Sequence, residues 1–588
     1  MRRTIATVCL SGTLGEKLTA AARAGFDGVE LFENDLLAGS LSPEDVRARA
    51  AALGLTIDLY QPLRDVEAAP QERFARSLRR AEHTFQVMRR LGTGMLLVCS
   101  NVSADAADDD ALAARQLRTL AERAAAHGIR VAYEALAWGR HVRTYDHAWR
   151  IVEQADHPAL GVCLDSFHIL SRGSDPAGIE HIPAEKIFFL QLADAPLPAM
   201  DVLHWSRHHR CFPGQGGLDV ARLLRHVARA GYEGPLSLEV FNDVFRQADA
   251  GRTAVDAMRS LIALEERAGL YAGTDPVVPS GIALAELSTP GPRPLTGLLE
   301  ALGFVRAEAG AEGGRPQEWR QNGARLLVAG RAATRQEGTT LTGIGLGTPD
   351  PRAVLDRAEA LLAPVEHRQP GAPGLASKAV VAPDGTRLLL TAGSGRTATP
   401  APARAAGALT HIDHVALTQP RHRFDEAVLF HRAVLGLCPE DSVDLADPHG
   451  LLHSRALSHA DTRLVLNDAP AWDPQSRPDQ HIALATDDIV TAARRLRAAG
   501  AGPLAIPANY YDHLAAHHDL DAAELDAYRH LGILYDRDEH GGEFRHFYTP
   551  AVGRVFFEVV QRTGGYRGYG AANAHIRLAA QRECRTAR

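Results

Sequence analysis

The chain has 588 residues, far more than one hydrophobic core uses, so several domains are expected. Its 45% apolar and 23% charged content is that of an ordinary globular protein, and no apolar run is long enough to cross a bilayer, which excludes a helical integral membrane protein. A net charge of -7 without a basic stripe gives no electrostatic reason to expect nucleic acid or an anionic membrane, and leaves a small molecule as the expected partner.

The N-terminus, MRRTIATVCL, opens like a signal peptide, but Glu16 and Lys17 interrupt it before an apolar h-region develops. Residues 4–10 therefore read as a first strand. Six cysteines are scattered without a CxxC pair, which argues against a disulfide framework or a thiolate zinc site and for a reducing cytoplasm. The three lysines, Lys17, Lys186 and Lys378, sit at no expected strand end, so Schiff-base chemistry is not expected.

From 1 to about 270, short β-branched runs alternate with helical stretches rich in Ala, Arg and Leu. The runs are TIATVCL, GVELFE, LTIDLYQ, GMLLVCS, IRVAYEA, LGVCLDS, IFFLQLAD and PLSLEV. Eight such units predict an α/β TIM barrel, and the absence of a Gly-rich phosphate turn argues against an open doubly wound sheet. Glu134, Asp165 and Glu239 end strands five, six and eight, and Gln191 lies near the end of strand seven. In a TIM barrel such ends share one mouth, where three carboxylates raise one another's pKa unless a cation neutralises them. An all-oxygen set favours Mg²⁺, Mn²⁺ or Co²⁺.

His168, three residues after Asp165, is placed to act as general base. Its structural alternative is a helix-start histidine bonded to backbone, just as an acid at a strand end can serve as a helix N-cap. The segment HWSRHHRCFPGQGG offers Ser206, Arg207, His208, His209 and Arg210 between strands seven and eight, and an arginine there can clamp a carboxylate in two bonds. Glu33, Tyr60 and Arg64 follow strands two and three as further substrate-binding candidates.

A Gly/Pro-rich connection at 272–281 introduces a different grammar. Residues 281–395 read as a first βαβββ module without metal ligands, 391–410 as an Ala/Pro/Gly linker, and 411–580 as a second βαβββ module. His414, His481 and Glu558 each fall in a short β-run of this last part, and two imidazoles with one carboxylate suit a divalent ion such as non-haem Fe(II). Strand alternation places His414 on the face opposite His411 and Asp413.

VELFE, VAYEAL, GVCLDSFHIL, FLQLADA and RCFPGQG resemble the bacterial 3-dehydroshikimate dehydratases, whose barrel is of the xylose isomerase-like type, over about the first 265 residues. The resemblance implies a divalent cation at Glu134, Asp165, Gln191 and Glu239, although many relatives of the wider superfamily carry histidine where Gln191 stands. It also implies dehydration of 3-dehydroshikimate to protocatechuate, in quinate and shikimate catabolism, with His168 as base and Arg210 as carboxylate clamp. HIDHVAL, FHRAVLGL, DQHIALAT and RVFFEVVQRTGGYRGYG resemble 4-hydroxyphenylpyruvate dioxygenases of the vicinal oxygen chelate superfamily over about 281–575, with a departure at Gly570–Ala574. Two other readings remain open at this point: an isomerase or epimerase fused to a module that binds an aromatic acid, and a dioxygenase as the principal activity. Ala-rich helices on the barrel exterior are compatible with a homo-oligomer.

Overall fold

The computed structural model describes residues 1–197, 199–271, 273–307, 316–330, 338–368, 374–393, 407–447, 450–469 and 479–586. Most of the linker expected at 391–410 lies outside the described residues. The chain forms two compact units, Met1–Gly273 and Thr274–Arg588.

The first unit is a closed parallel barrel of β1 (Arg3–Ala6), β2 (Gly28–Phe32), β3 (Thr56–Leu63), β4 (Met95–Cys99), β5 (Arg130–Glu134), β6 (Leu160–Asp165), β7 (Ile187–Leu192) and β8 (Leu236–Leu238), with β8 pairing back onto β1. Period-2 alternation turns Leu59, Leu97, Cys99, Ala132, Cys163 and Phe189 into the lumen, where they form one buried cluster. Each such large apolar side chain contributes about 1.5–3 kcal/mol by leaving water. β1 is shorter than the sequence suggests. The Thr7 hydroxyl accepts the Phe32 backbone N–H at 3.1 Å, and the chain turns there into a tight helical turn, Thr7–Cys9.

The second unit holds two eight-stranded mixed sheets. The first contains β9 (Gly281–Thr289), β10 (Val305–Arg306), β11 (Gln317–Gln321), β12 (Ala324–Gly330), β13 (Thr340–Thr348), β14 (Val365–His367), β15 (Leu375–Val381) and β16 (Arg387–Ala392). Its order is β10-β11-β12-β9-β13-β16-β15-β14. The second contains β17 (Leu409–Pro420), β18 (Cys438–Asp447), β19 (Gly450–His459), β20 (Thr462–Ala469), β21 (Gln480–Thr486), β22 (Leu534–Arg537), β23 (Glu543–Tyr548) and β24 (Val555–Thr563), and repeats the order as β18-β19-β20-β17-β21-β24-β23-β22. Each sheet therefore joins two βαβββ units, so the spans 281–395 and 411–580 each enclose a pair of them. The first helix of each unit, such as Phe424–Leu435 after β17, packs an apolar stripe on its sheet. Among the described residues, no helix is long and apolar enough to cross a membrane.

Candidate functional site

The C-terminal ends of the barrel strands surround a cavity of about 480 Å³, lined by Glu134, His168, Ser206, Arg210 and Glu239 among others. Helix Ser166–Leu170 begins where β6 stops, and Asp165 divides its two oxygens between two tasks. Oδ1 caps the helix, accepting the backbone N–H of Phe167 (2.6 Å) and His168 (3.1 Å), while Oδ2 accepts from Arg210 at 2.8 Å. The capping reading of this acid is thus realised by one oxygen, while the other faces Arg210.

Glu134, Asp165 and His168 each offer a ligand atom within 4.8 Å of the others. Burial, followed by the charges of Glu239 and Asp165, pushes the Glu134 carboxyl well above its ordinary range. Burial likewise raises Glu239 to about 7 against the pull of Arg210. Burial also works to raise Asp165, but Arg210 and His168 together hold it below the usual carboxylate range. Glu134 Oε1 is buried with no hydrogen-bond partner, an omission that ordinarily costs about 1–3 kcal/mol. A cluster of acids with one orphaned oxygen is a donor set that fits a divalent cation.

Gln191 stands beside Asp165 in the register of β6 and β7, while other expected residues lie off the cavity or are engaged elsewhere. Gln191 is fully buried, donates from Nε2 to Glu30 (2.7 Å) and receives the Cys163 thiol at Oε1 (3.3 Å). Tyr60 does not line the cavity. The alternation that turns Leu59 and Gln61 into the lumen turns Tyr60 outward, because it lies within β3 and not in the loop after it. Arg210 is 1% exposed, and its donors are taken by Asp165, Glu239 and Ser206, so it serves here as counter-ion to the acids and not as a free clamp. Ser206 reaches the cavity as the hydroxyl that accepts from Arg210. Glu33 lines the mouth but pairs with Arg80 at 3.1 Å. Arg64 also lines the mouth.

His168 Nδ1 accepts the Ala137 backbone N–H at 3.2 Å, so Nε2 is the nitrogen that faces the acids. Burial lowers its pKa to about 3, and the ring is neutral at pH 7. Three residues went unnoticed in the sequence. Trp138 lines the cavity with its ring 5.0 Å from that of His168. Glu30 and Gln61 point into the lumen, joined by a 2.9 Å hydrogen bond. Glu30 lies inside β2, where the closed barrel turns it into the lumen, while Glu33 begins the following helix.

In the second sheet, His414 Nε2, His481 Nε2 and Glu558 Oε2 form a triangle with sides of 3.2, 3.2 and 3.3 Å. Cis positions around an octahedral ion with bonds of about 2.1 Å lie about 3.0 Å apart, so these atoms are spaced as three ligands of one ion. Burial would raise Glu558, but hydrogen bonds from His414, His481 and His546 hold it well below the ordinary range. Asp413 accepts from His414 Nδ1 at 2.8 Å and is itself held by Arg562. Strand alternation predicts opposite faces for Asp413 and His414, but register shifts on both sides of Ile412 bend β17 and let the carboxylate reach the ring. His546, bonded to Glu558 at 2.6 Å and to Asn573 at 3.0 Å, was not singled out by sequence. Its only signal is its place in the run RHFY.

The family model described as Xylose isomerase-like TIM barrel matches residues 18–264, and the Glyoxalase/Bleomycin resistance protein/Dioxygenase superfamily matches residues 411–544. The 3-dehydroshikimate dehydratase of Pseudomonas putida is 45% identical across 100% of this chain and 99% of its own length. That of Pseudomonas aeruginosa is likewise 45% identical over the same shares. A solved xylose isomerase-like TIM barrel/4-hydroxyphenylpyruvate dioxygenase fusion protein aligns over all of both chains with a TM-score of 0.89 and 42% identity. By this similarity along its whole length, the chain belongs to the 3-dehydroshikimate dehydratases that join a xylose isomerase-like barrel to a dioxygenase-superfamily domain.

Proposed function

We infer that the chain dehydrates 3-dehydroshikimate to protocatechuate and water, in the catabolism of quinate and shikimate. The observation that carries the reading is the buried acid cluster at the barrel mouth, with its unpartnered Glu134 oxygen, in a chain similar from end to end to two dehydratases of that name. Glu134, Asp165 and Glu239, with Gln191, would hold a divalent cation, Mg²⁺, Mn²⁺ or Co²⁺. Such an ion supplies Lewis acidity toward a ketone oxygen and its enolate.

The remaining steps belong to side chains. Arg64 and Arg207 line the mouth and have the charge to hold the substrate carboxylate, a task Arg210 can take only by releasing Asp165 and Glu239. Trp138 offers a flat wall to a ring that becomes planar as it aromatises. Protons enter and leave at His168 Nε2. To act as base, the ring needs that lone pair free, which places its proton on Nδ1 and gives up the bond from Ala137. Substituting Glu134→Gln or Glu239→Gln should reduce formation of aromatic product, followed by ultraviolet absorbance, by at least about 10²-fold. Unchanged rates would remove the reading.

His414, His481 and Glu558 are proposed to hold Fe(II) or another divalent cation, on the strength of their triangular spacing. Six free thiols, four of them buried, support a reducing cytoplasmic compartment.

A further inference from the structure

Glu30 lies in the barrel lumen with no contact to solvent, and three donors converge on it. The Ser237 hydroxyl donates to Oε1, while Gln61 Nε2 (2.9 Å) and Gln191 Nε2 (2.7 Å) both donate to Oε2. Burial, followed by the charge of Glu239, pushes Glu30 well above the ordinary carboxylate range, and N–H and O–H donors meet both of its oxygens. That settles which end of the Gln191 amide points where. Its NH₂ is committed to Glu30, and its carbonyl oxygen accepts, among the described residues, the weak thiol donor of Cys163.

The orientation matters because a neutral amide ligates a cation through oxygen and never through NH₂. An unheld glutamine in a buried polar site can turn its terminal amide over at small cost, since that torsion is broad and nearly two-fold. A histidine at this position presents a ring nitrogen and has no such ambiguity. A glutamine therefore requires a fixed acceptor behind it. Gln61 binds the same Glu30 oxygen from β3, so one acid ties side chains of two barrel strands together.

We propose that Glu30 is a positioning residue that locks Gln191 with its Oε1 toward the cation, a role that rests on the metal-dependent reading of the barrel given above. Groups behind a metal ligand of this kind are worth about 10–100-fold in metal affinity. The proposal separates Glu30 from Glu134, Asp165 and Glu239: it would shape the site from behind Gln191 and would not itself be a ligand.

The test is Mn²⁺ binding to the full-length protein, measured from the electron paramagnetic resonance of free Mn²⁺, so that no turnover is needed. The variant carrying both Glu134→Gln and Glu239→Gln gives the contribution of sites outside the barrel. Glu30→Gln should weaken the barrel's Mn²⁺ affinity by at least about 10-fold. The reciprocal swap Glu30→Gln with Gln191→Glu should restore it to within about 3-fold, because the amide then donates from position 30 to a carboxylate ligand at position 191. A role in packing alone predicts no such rescue. Wild-type affinity in Glu30→Gln, with affinity lost in the Glu134/Glu239 variant, overturns the proposal and leaves the metal reading standing. Unchanged affinity in both overturns both. If Glu30→Gln does not fold, the swap decides: folded with near-native affinity supports the lock, and folded without it refutes the lock.

Discussion

The two sheets of the second unit place different chemistry on the same rung. In the second sheet His414 pairs with Ala483, which pairs with Glu558. In the first sheet Glu286 pairs with Gly343, which pairs with Arg387. Glu286 thus stands where His414 stands, and Arg387 stands where Glu558 stands. Two residues ahead of Gly343 is Leu341, as His481 is two ahead of Ala483. Where the second sheet has three ligand atoms facing one point, the first has a buried glutamate closed by Arg368 (2.5 Å) and Arg387 (3.2 Å). A shared backbone register delivers three side chains to a common point, and the residue types decide whether that point is closed by an internal ion pair or offers the donor set proposed above for a metal. The barrel mouth is intermediate: Arg210 is the internal cation, yet a carboxylate oxygen remains unpaired.

The comparison can be broken most strongly at the ligands themselves. His481→Ala or Glu558→Gln should remove one tightly held divalent ion per chain, by at least about 10²-fold in affinity, while leaving dehydration of 3-dehydroshikimate in place. Metal analysis after gel filtration, beside an activity assay, reads both. Next in size, Asp413→Asn loses the carboxylate that accepts from His414 Nδ1 and should cost about 10–100-fold in the same affinity. Metal retained at wild-type affinity would show that the Asp413–His414 bond is only structural. Smaller again, Glu286→Leu should destabilise the second unit by about 1–3 kcal/mol in urea unfolding, because Arg368 and Arg387 lose their acceptor. It should release no metal.

A pH dependence of the chelated protein reads the same triad without substitution. Burial works to lower His414, but the hydrogen bonds to Asp413 and Glu558 raise it above 6.5. The stability it lends is complete below 6.5 and is lost as pH rises through the raised folded value. Burial lowers His481 to about 4, so its unfolded form gains a proton first, and stability falls as pH drops from 6.5 toward 4. Each group contributes at most about 1.4 kcal/mol per pH unit. Histidine NMR titration of the chelated protein should find the two rings on opposite sides of 6.5. Two unshifted rings would contradict this account of the triad.

How far the sequence reached depended on whether a side chain's direction could be judged without the register. Glu134, Asp165 and Glu239 stood out because an acid at the end of an apolar run is conspicuous wherever it points. Glu30 and Gln61 lie within strands, and only parity set by the closed barrel turns them inward, the same parity that turns Tyr60 out. Arg210 was legible as a site residue but not as a counter-ion, because its partners come from β6 and from the residue just after β8. The Asp413–His414 bond was hidden because an irregular register in β17 breaks the alternation on which the reading relied.

The most direct test of the account is to strip the full-length protein of metal with a chelator and mix it with 3-dehydroshikimate while aromatic absorbance is followed. The account predicts no product until Mg²⁺, Mn²⁺ or Co²⁺ is returned, and then full recovery. Full activity in the stripped protein, or none with any divalent ion, would contradict it.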